Sequence, residues 1–469
     1  MTARSVDSSD AVQSDPPSAR RRIVARRRAP SDTQRERLLD AMIELSARLG
    51  YRQVSVAAVA SHAGVSSATF YEQFRGKEEC MEHAYTTAAR RILPDVRVPS
   101  EGSETARPAF SELARVFLTR LMHAAQAEPA AARVLFVEGL AGTPSLRKLS
   151  VAILGSAERT VETALASTDQ RETFDVPAAA VVGAVRSIVS RTLRIHAEDQ
   201  LPRHVDDLVR WLVSYKRPPC AQPFTLDPGM RLAPISLKLT SEPLGSVTRL
   251  PRGRHRLPPG VVLRSHRTRI IAATAQVTMT KGYAATTIAD IVAHAGVSRE
   301  VFYEHFSDKE HAFLEAQQHP TQHILDRCAQ SYFAAREWPQ RLWNHVEMLA
   351  RLIVENPAIS HLRLVECYAA GPPAIRRAEE ITRAFNIFLQ EGYSYSGTPE
   401  RPRIFSDAIT GAIYEVIRRH VAAAEFAQLY ERVPLLTYIG LVPFTGAEQA
   451  ADLIAQMLAT HEADTNEGV

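Results

Sequence analysis

Little in this sequence points toward catalysis, secretion or a membrane. Its four cysteines, Cys80, Cys220, Cys328 and Cys367, lie far apart. They offer no CxxC or Cys/His spacing for zinc and no dense pattern for a disulfide framework. Unpaired thiols in a reducing compartment are therefore expected. No hydrophobic run approaches the ~18 residues that span a bilayer. The opening MTARSVDSSDAVQSDPPSARRR has no apolar core, which argues against a signal peptide. A soluble cytoplasmic protein is expected, with no membrane partner. The net charge is only +4, so any attraction to a polyanion must come from local clusters. The motifs HExxH, GxSxG and GxxxxGK[ST] are missing. The nearest imitation of a phosphate loop, residues 139–142, has neither a lysine nor a preceding strand. No catalytic residue, metal or cofactor is expected. Strand-like alternation persists nowhere, so the fold class is all-α.

What the sequence does have is a repeat. Residues 62–78 read HAGVSSATFYEQFRGKE, and residues 294–310 read HAGVSREVFYEHFSDKE. The offset of 232 holds without a gap from 35–83 to 267–315, with 17 identities in 49 positions. Such a duplication governs the architecture. It continues at an offset of 228: Glu128-Pro129 matches Asn356-Pro357, Glu138 matches Glu366, and Gly183 matches Gly411.

Each repeat reads as a helix-turn-helix. Leu38, Leu39, Met42, Leu45 and Leu49 recur at helical spacing, and Gly50 is a natural stop. Ser55 precedes a second periodic segment as an N-cap, with Thr287 its counterpart. Gly64 breaks that helix, Ser66 caps the third, and Phe70 and Phe74 point inward at i, i+4. The predicted division is 1–30, a disordered tail whose RRRIVARRR run is a DNA-tracking arm or a solvated charge run; 31–82, the first helix-turn-helix domain; and 83–215, a helical domain. A Pro-rich basic linker follows at 216–263, then 264–315, the second helix-turn-helix domain, 316–463, a second helical domain, and 464–469, a tail.

The pattern T/S-[VI]-x-x-[VI]-x-x-x-A-G-V-S-x-x-x-F-Y-x-x-F-x-x-K-E resembles the tetracycline-repressor (TetR) family of bacterial transcription regulators. Both copies carry it. The resemblance implies double-stranded DNA as a partner and helical second domains that hold a small-molecule effector and dimerise. It also implies repression relieved by that effector. Ordinary members carry one module and pair as homodimers, whereas this chain carries two.

With the phenylalanines buried, the third helix exposes Ser67, Ala68, Tyr71 and Gln73 in one copy and Arg299, Glu300, Tyr303 and His305 in the other. Arg299 suits a bidentate guanine contact and Gln73 an adenine. The resemblance assigns Tyr71 and Tyr303 to the DNA backbone; packing against the first helix is the competing reading. Lys77 and Lys309 open the fourth helix, where a phosphate would meet both lysine and amides, unless they are simply solvated. Ser55, Ser66, Thr69, Thr287 and Ser298 complete the candidate DNA contacts. The unequal faces predict unequal half-sites read by a monomeric pseudo-dimer, with helices 177–198 and 202–215 packed on 404–425 and 447–460. Candidate effector contacts are Glu138, Trp343, Arg363, Glu366 and Tyr368, although core packing and a salt bridge explain the same residues. A helical scaffold that no longer binds DNA is the alternative function.

Overall fold

The structure, a computed structural model, describes residues 33–94, 109–139, 143–167, 173–217, 258–395 and 401–467. The arginine run at 20–28 and most of the linker lie outside the described residues. The first half comprises α1 (Gln34–Leu49), α2 (Val56–His62), α3 (Ser67–Gln73), α4 (Lys77–Ile92), α5 (Phe110–Ala127) and α6 (Pro129–Arg133). A π turn over Val134–Glu138 extends α6, and α7 (Pro144–Ser167), α8 (Ala178–Arg194) and α9 (Val205–Val213) follow.

The second half opens with α10 (Pro259–Lys281), α11 (Ile288–Ala295), α12 (Arg299–His305) and α13 (Lys309–Gln318). It continues with α14 (Thr321–Tyr332), α15 (Trp338–Glu355) and α16 (Pro357–His361), then a second π turn over Leu362–Glu366. The chain ends through α17 (Cys367–Ala370), α18 (Pro372–Ala384), α19 (Gly392–Tyr395), α20 (Ile404–Ala422), α21 (Phe426–Glu431), α22 (Val433–Thr445) and α23 (Ala447–Glu467). Among the described residues the protein is all-α apart from one antiparallel bridge, in which β1 (Thr173–Phe174) pairs with β2 (Lys216–Arg217).

Local sequence explains the helix ends. Thr33 and Glu36 form a capping box at the start of α1, which satisfies two backbone donors that would otherwise lack partners. Gly50 and Gly282 end α1 and α10 at φ of +81° and +77°, a region that side chains rarely tolerate. Helix α10 begins at Pro259, inside the stretch expected to be linker, because Pro at the first helical position is already set to φ near −65°. Helix α23 likewise runs to Glu467, past the expected start of the tail.

The two halves meet where α8 crosses α20. An added Cβ at Gly183 would stand 2.3 Å from Glu415 Cβ and 3.0 Å from the Gly411 carbonyl oxygen. One at Gly411 would stand 2.6 Å from Ser187 Cβ. The matched glycines of the two copies thus face each other, and only their missing side chains let the backbones approach this closely. Glu415 is buried beside them and accepts from Arg186 at 2.9 Å, Arg418 at 2.5 Å and Arg419 at 3.1 Å. Burial pushes the Glu415 carboxyl up, but Arg418 and Arg186 outweigh it and hold the group below the usual carboxylate range. Arg191–Asp407 adds an ion pair across the same contact, and Arg194–Glu379 links α8 to α18.

The expected fourth partner is corrected. Val433–Thr445, not 447–460, corresponds to Val205–Val213, and Tyr215 Oη donates to the Ile439 carbonyl at 2.8 Å. Helix α23 packs outside α22 and reaches β2. The repeat offset of 228 already pairs Val205 with Val433; the positions that the same offset pairs with the C-terminal helix lie outside the described residues.

Replacing Gly183 or Gly411 by Val should cost about 1–3 kcal/mol through overpacking, read as a lower melting temperature; an unchanged value would refute the close crossing. A carboxyl depressed on folding stabilises above its unfolded pKa, and that stabilisation is lost as pH falls through the folded value. Glu415→Gln should therefore flatten the loss of melting temperature on acidification. At neutral pH it should destabilise by about 3–5 kcal/mol, since Arg186 and Arg418 lose their carboxylate.

Candidate nucleic-acid interface and its helical support

Each head is built by caps and a glycine turn. The Ser55 hydroxyl oxygen accepts from Ala58 N–H at 3.2 Å and that of Ser66 from Thr69 N–H at 3.0 Å. In the second head Thr287 accepts from Asp290 N–H at 3.2 Å and Ser298 from Val301 N–H at 3.3 Å. These four side chains therefore set helix starts first; the Thr287 hydroxyl also donates to the Asp290 carboxylate at 2.8 Å, and the Ser66 hydroxyl pairs with that of Thr69 at 3.0 Å. Gly64 and Gly296 make the turns at φ of +66° and +63°. Arg269 clasps the second turn by donating to the carbonyls of Ala295 and Gly296, a role that helical periodicity does not reveal.

Phe70, Phe74, Phe302 and Phe306 are buried, with each pair of rings 5.7 Å apart between centroids. What remains outside is the candidate reading face. Tyr71 is 59% exposed and Tyr303 47%, each ring set edge-on to the neighbouring buried phenylalanine. Ser67, Ala68, Arg299 and Glu300 are exposed, while Thr69, Gln73 and His305 are half-buried. The Arg299 guanidinium lies 5.7 Å from the Tyr303 ring centroid, a cation–π arrangement that holds both side chains on one face.

Lys77 and Lys309 occupy a different position from a free phosphate hook. Lys77 Nζ donates to the Val54 carbonyl at 2.9 Å and the Tyr51 carbonyl at 3.3 Å. Lys309 Nζ donates to the Tyr283 and Thr286 carbonyls, both at 2.8 Å. Each ammonium also faces the ring of Tyr51 or Tyr283, and burial lowers both pKa values. The lysines tie the loop between the first two helices of each head to the start of the fourth.

The same two loops are held from the helical domains by the repeated glutamate. Glu138 accepts from Tyr51 N–H at 3.0 Å, and Glu366 from Tyr283 N–H at 2.7 Å. Each glutamate closes its π turn, and such turns often sit at functional positions. Burial raises the Glu138 pKa, against the Tyr51 N–H and nearby arginines. Glu366 also pairs with Arg147 of the first half at 3.0 Å. Arg52 reaches across to the Ala370 carbonyl at 3.2 Å and lies over the Tyr283 ring. Neither cross-half contact has a signal in the repeat, because the partners come from different copies.

Each helical domain encloses a cavity of about 1080 Å³, open mouth included. Leu135 and Phe136 form part of the first wall and Arg363 and Leu364 part of the second. Both pairs lie on the π turns that end in the glutamates. Among the residues expected to meet an effector, Arg363 lines its cavity. Glu138 and Glu366 do not, since their carboxylates face the heads. Trp343 does not either, being packed in the core at 2% exposure. Tyr368 lines a smaller cleft between the halves, beside Arg194 and Asp407. Among the described residues no cluster of His, Cys, Asp and Glu could hold a metal ion, and no helix is long and apolar enough to cross a membrane.

Residues 38–84 and 270–316 each match the family of bacterial regulatory proteins called tetR. No curated protein matches the chain. Among solved structures, the fatty acid degradation regulator FadR from Bacillus halodurans is similar at 19% identity, covering 40% of this chain and 97% of its own, with a TM-score of 0.36. FadR from Bacillus subtilis, solved with stearoyl-CoA, gives 14%, 37%, 96% and 0.34. A gamma-butyrolactone receptor described as ArpA-like gives 23%, 42%, 99% and 0.32.

Removing the carboxylate should loosen the heads without unfolding them. In Glu138→Ala and Glu366→Ala chains, amide exchange at Tyr51 and Tyr283 respectively should speed up roughly 10- to 100-fold, as expected for losing a charged hydrogen bond of about 1.5–3 kcal/mol. The glutamine variants should exchange more slowly than the alanine ones. Unchanged exchange in the alanine variants would show that the carboxylates do not hold the loops.

Proposed function

The chain carries two tandem modules of the tetR family of bacterial regulatory proteins, and from that premise we propose that it is a sequence-specific DNA-binding repressor acting as a monomeric pseudo-dimer. One observation carries this reading. Two heads of the same construction, joined in one chain by the crossing of α8 and α20, expose different residues on their third helices. Ser67, Ala68 and Tyr71 are on one, and Arg299, Glu300 and Tyr303 on the other. Equal heads read palindromes because their half-sites are equal; unequal heads read unequal half-sites.

Effector control fits the same framework. A ligand that displaces the wall at Leu135–Phe136 or Arg363–Leu364 moves a π turn. The glutamate at its end then pulls on the loop that carries Tyr51 or Tyr283. Release from DNA follows from a changed spacing of the heads, since two helices fit successive major grooves only about 34–36 Å apart.

Selection of bound DNA from a random library should return two dissimilar half-sites about one helical turn apart. Light scattering should give the mass of one 51.9 kDa chain. Palindromic sites together with a stable dimer at low concentration would overturn the proposal. Arg299→Ala should cost about 1–3 kcal/mol and relax specificity in only one half-site. Equal loss at both half-sites would place Arg299 outside base reading.

A further inference from the structure

The duplication supplies an internal comparison of the two cavities. Gln317, His345 and Arg363 line the second cavity. The repeat offsets place Tyr85, Phe117 and Leu135 at the corresponding positions, and all three line the first. The walls keep their place, but the second cavity carries a carboxamide, an imidazole and a guanidinium where the first carries two aromatic rings and a leucine, and the one polar group among these, the Tyr85 hydroxyl, is already hydrogen-bonded to Ser150 and the Leu135 carbonyl.

The groups of the second cavity are unsatisfied as they stand. Among the described residues, the guanidinium of the half-buried Arg363 has no ion-pair or hydrogen-bond partner. Gln317 is fully buried; its Nε2 donates to the Ala374 carbonyl at 3.2 Å, which leaves Oε1 with no partner. His345 is 4% exposed, stacks on Phe388 with centroids 3.9 Å apart, and leaves Nδ1 unpartnered. A charge drawn partly out of water without a partner is costly, and a buried amide oxygen without a donor is costly in the same direction. Burial lowers the Arg363 pKa to about 10, so the group remains a cation at neutral pH, whereas burial drives His345 to about 3 and keeps it neutral. The first cavity also contains an arginine, Arg186, but Glu415 has already claimed it at 2.9 Å.

We propose that the second cavity binds an amphipathic monocarboxylic acid, its carboxylate on Arg363 and its apolar body among Leu342, Leu349 and Ile381, and that the first cavity has no such preference. Guanidinium geometry suits a carboxylate through paired N–H donors, and a single uncompensated cation matches one negative charge. Gln317 Oε1 adds a place for a hydroxyl or amine donor on the ligand. The inference deepens the effector reading above and rests on it for biological meaning.

Titration calorimetry on the full chain with decanoate, 2-naphthoate and their methyl esters tests it. The expected result is one site per chain for at least one acid, with its ester at least tenfold weaker. Arg363→Met should remove that preference and Arg363→Lys should keep part of it. Failure of both acids to bind would overturn the proposal, as would equal binding of acid and ester by the unaltered chain. The acid–ester comparison stands even if the methionine variant does not fold. A parallel measurement of DNA affinity separates the two readings. An acid that binds with this preference but leaves DNA affinity unchanged supports the site and overturns effector control by that ligand. Release of DNA by acid and ester alike supports effector control and overturns the carboxylate site.

Discussion

Everything in this molecule depends on how closely two helices can cross. Gly183 and Gly411 bring α8 and α20 to a separation that a single methyl group would obstruct. The contact is not a simple apolar seam, because the buried carboxylate of Glu415 lies beside it with three arginines around it. Such a cluster contributes little net stability, since desolvation offsets attraction. It does punish any other register of the two helices, which would leave an uncompensated charge buried. Close packing and charge matching thus fix one geometry between the halves.

The heads hang from that frame by a small number of polar contacts. Each loop between the first two head helices is tied by a lysine from the fourth helix and by a glutamate from a π turn. The π turn matters because it is shared. One side forms the wall of a cavity, and its last residue grips a backbone amide of the head. The two halves differ in these ties: Glu366 also binds Arg147 from the first half, whereas among the described residues Glu138 has no ion pair with the second. The supports are therefore as unequal as the reading faces.

Several sequence-level readings needed spatial information to find their place. Caps and buried aromatics are local, and Ser55, Ser66, Phe70 and Phe74 could be located from spacing alone. The repeated Glu138 and Glu366 stood out by their matching surroundings, but spacing cannot tell which way a carboxylate on a π turn points. It points to the head, not into the cavity. Trp343 has the composition of a pocket residue and belongs to the core. Gln317 and His345 escaped attention because each is ordinary in its own helix. Only comparison with Tyr85 and Phe117 across the duplication marks them as departures.

The sequence by itself determined that this chain is helical, duplicated and equipped with two helix-turn-helix heads whose exposed residues differ. Periodicity, capping residues and turn glycines act within a few positions of one another, so they can be read along the chain. Tertiary structure decided which helices cross between the halves, that the C-terminal helix packs outside Val433–Thr445, and that the lysines and glutamates tie the head loops. Those outcomes depend on contacts between residues from dozens to more than two hundred positions apart, where packing distance and charge neutralisation choose among arrangements that the sequence pattern leaves equal.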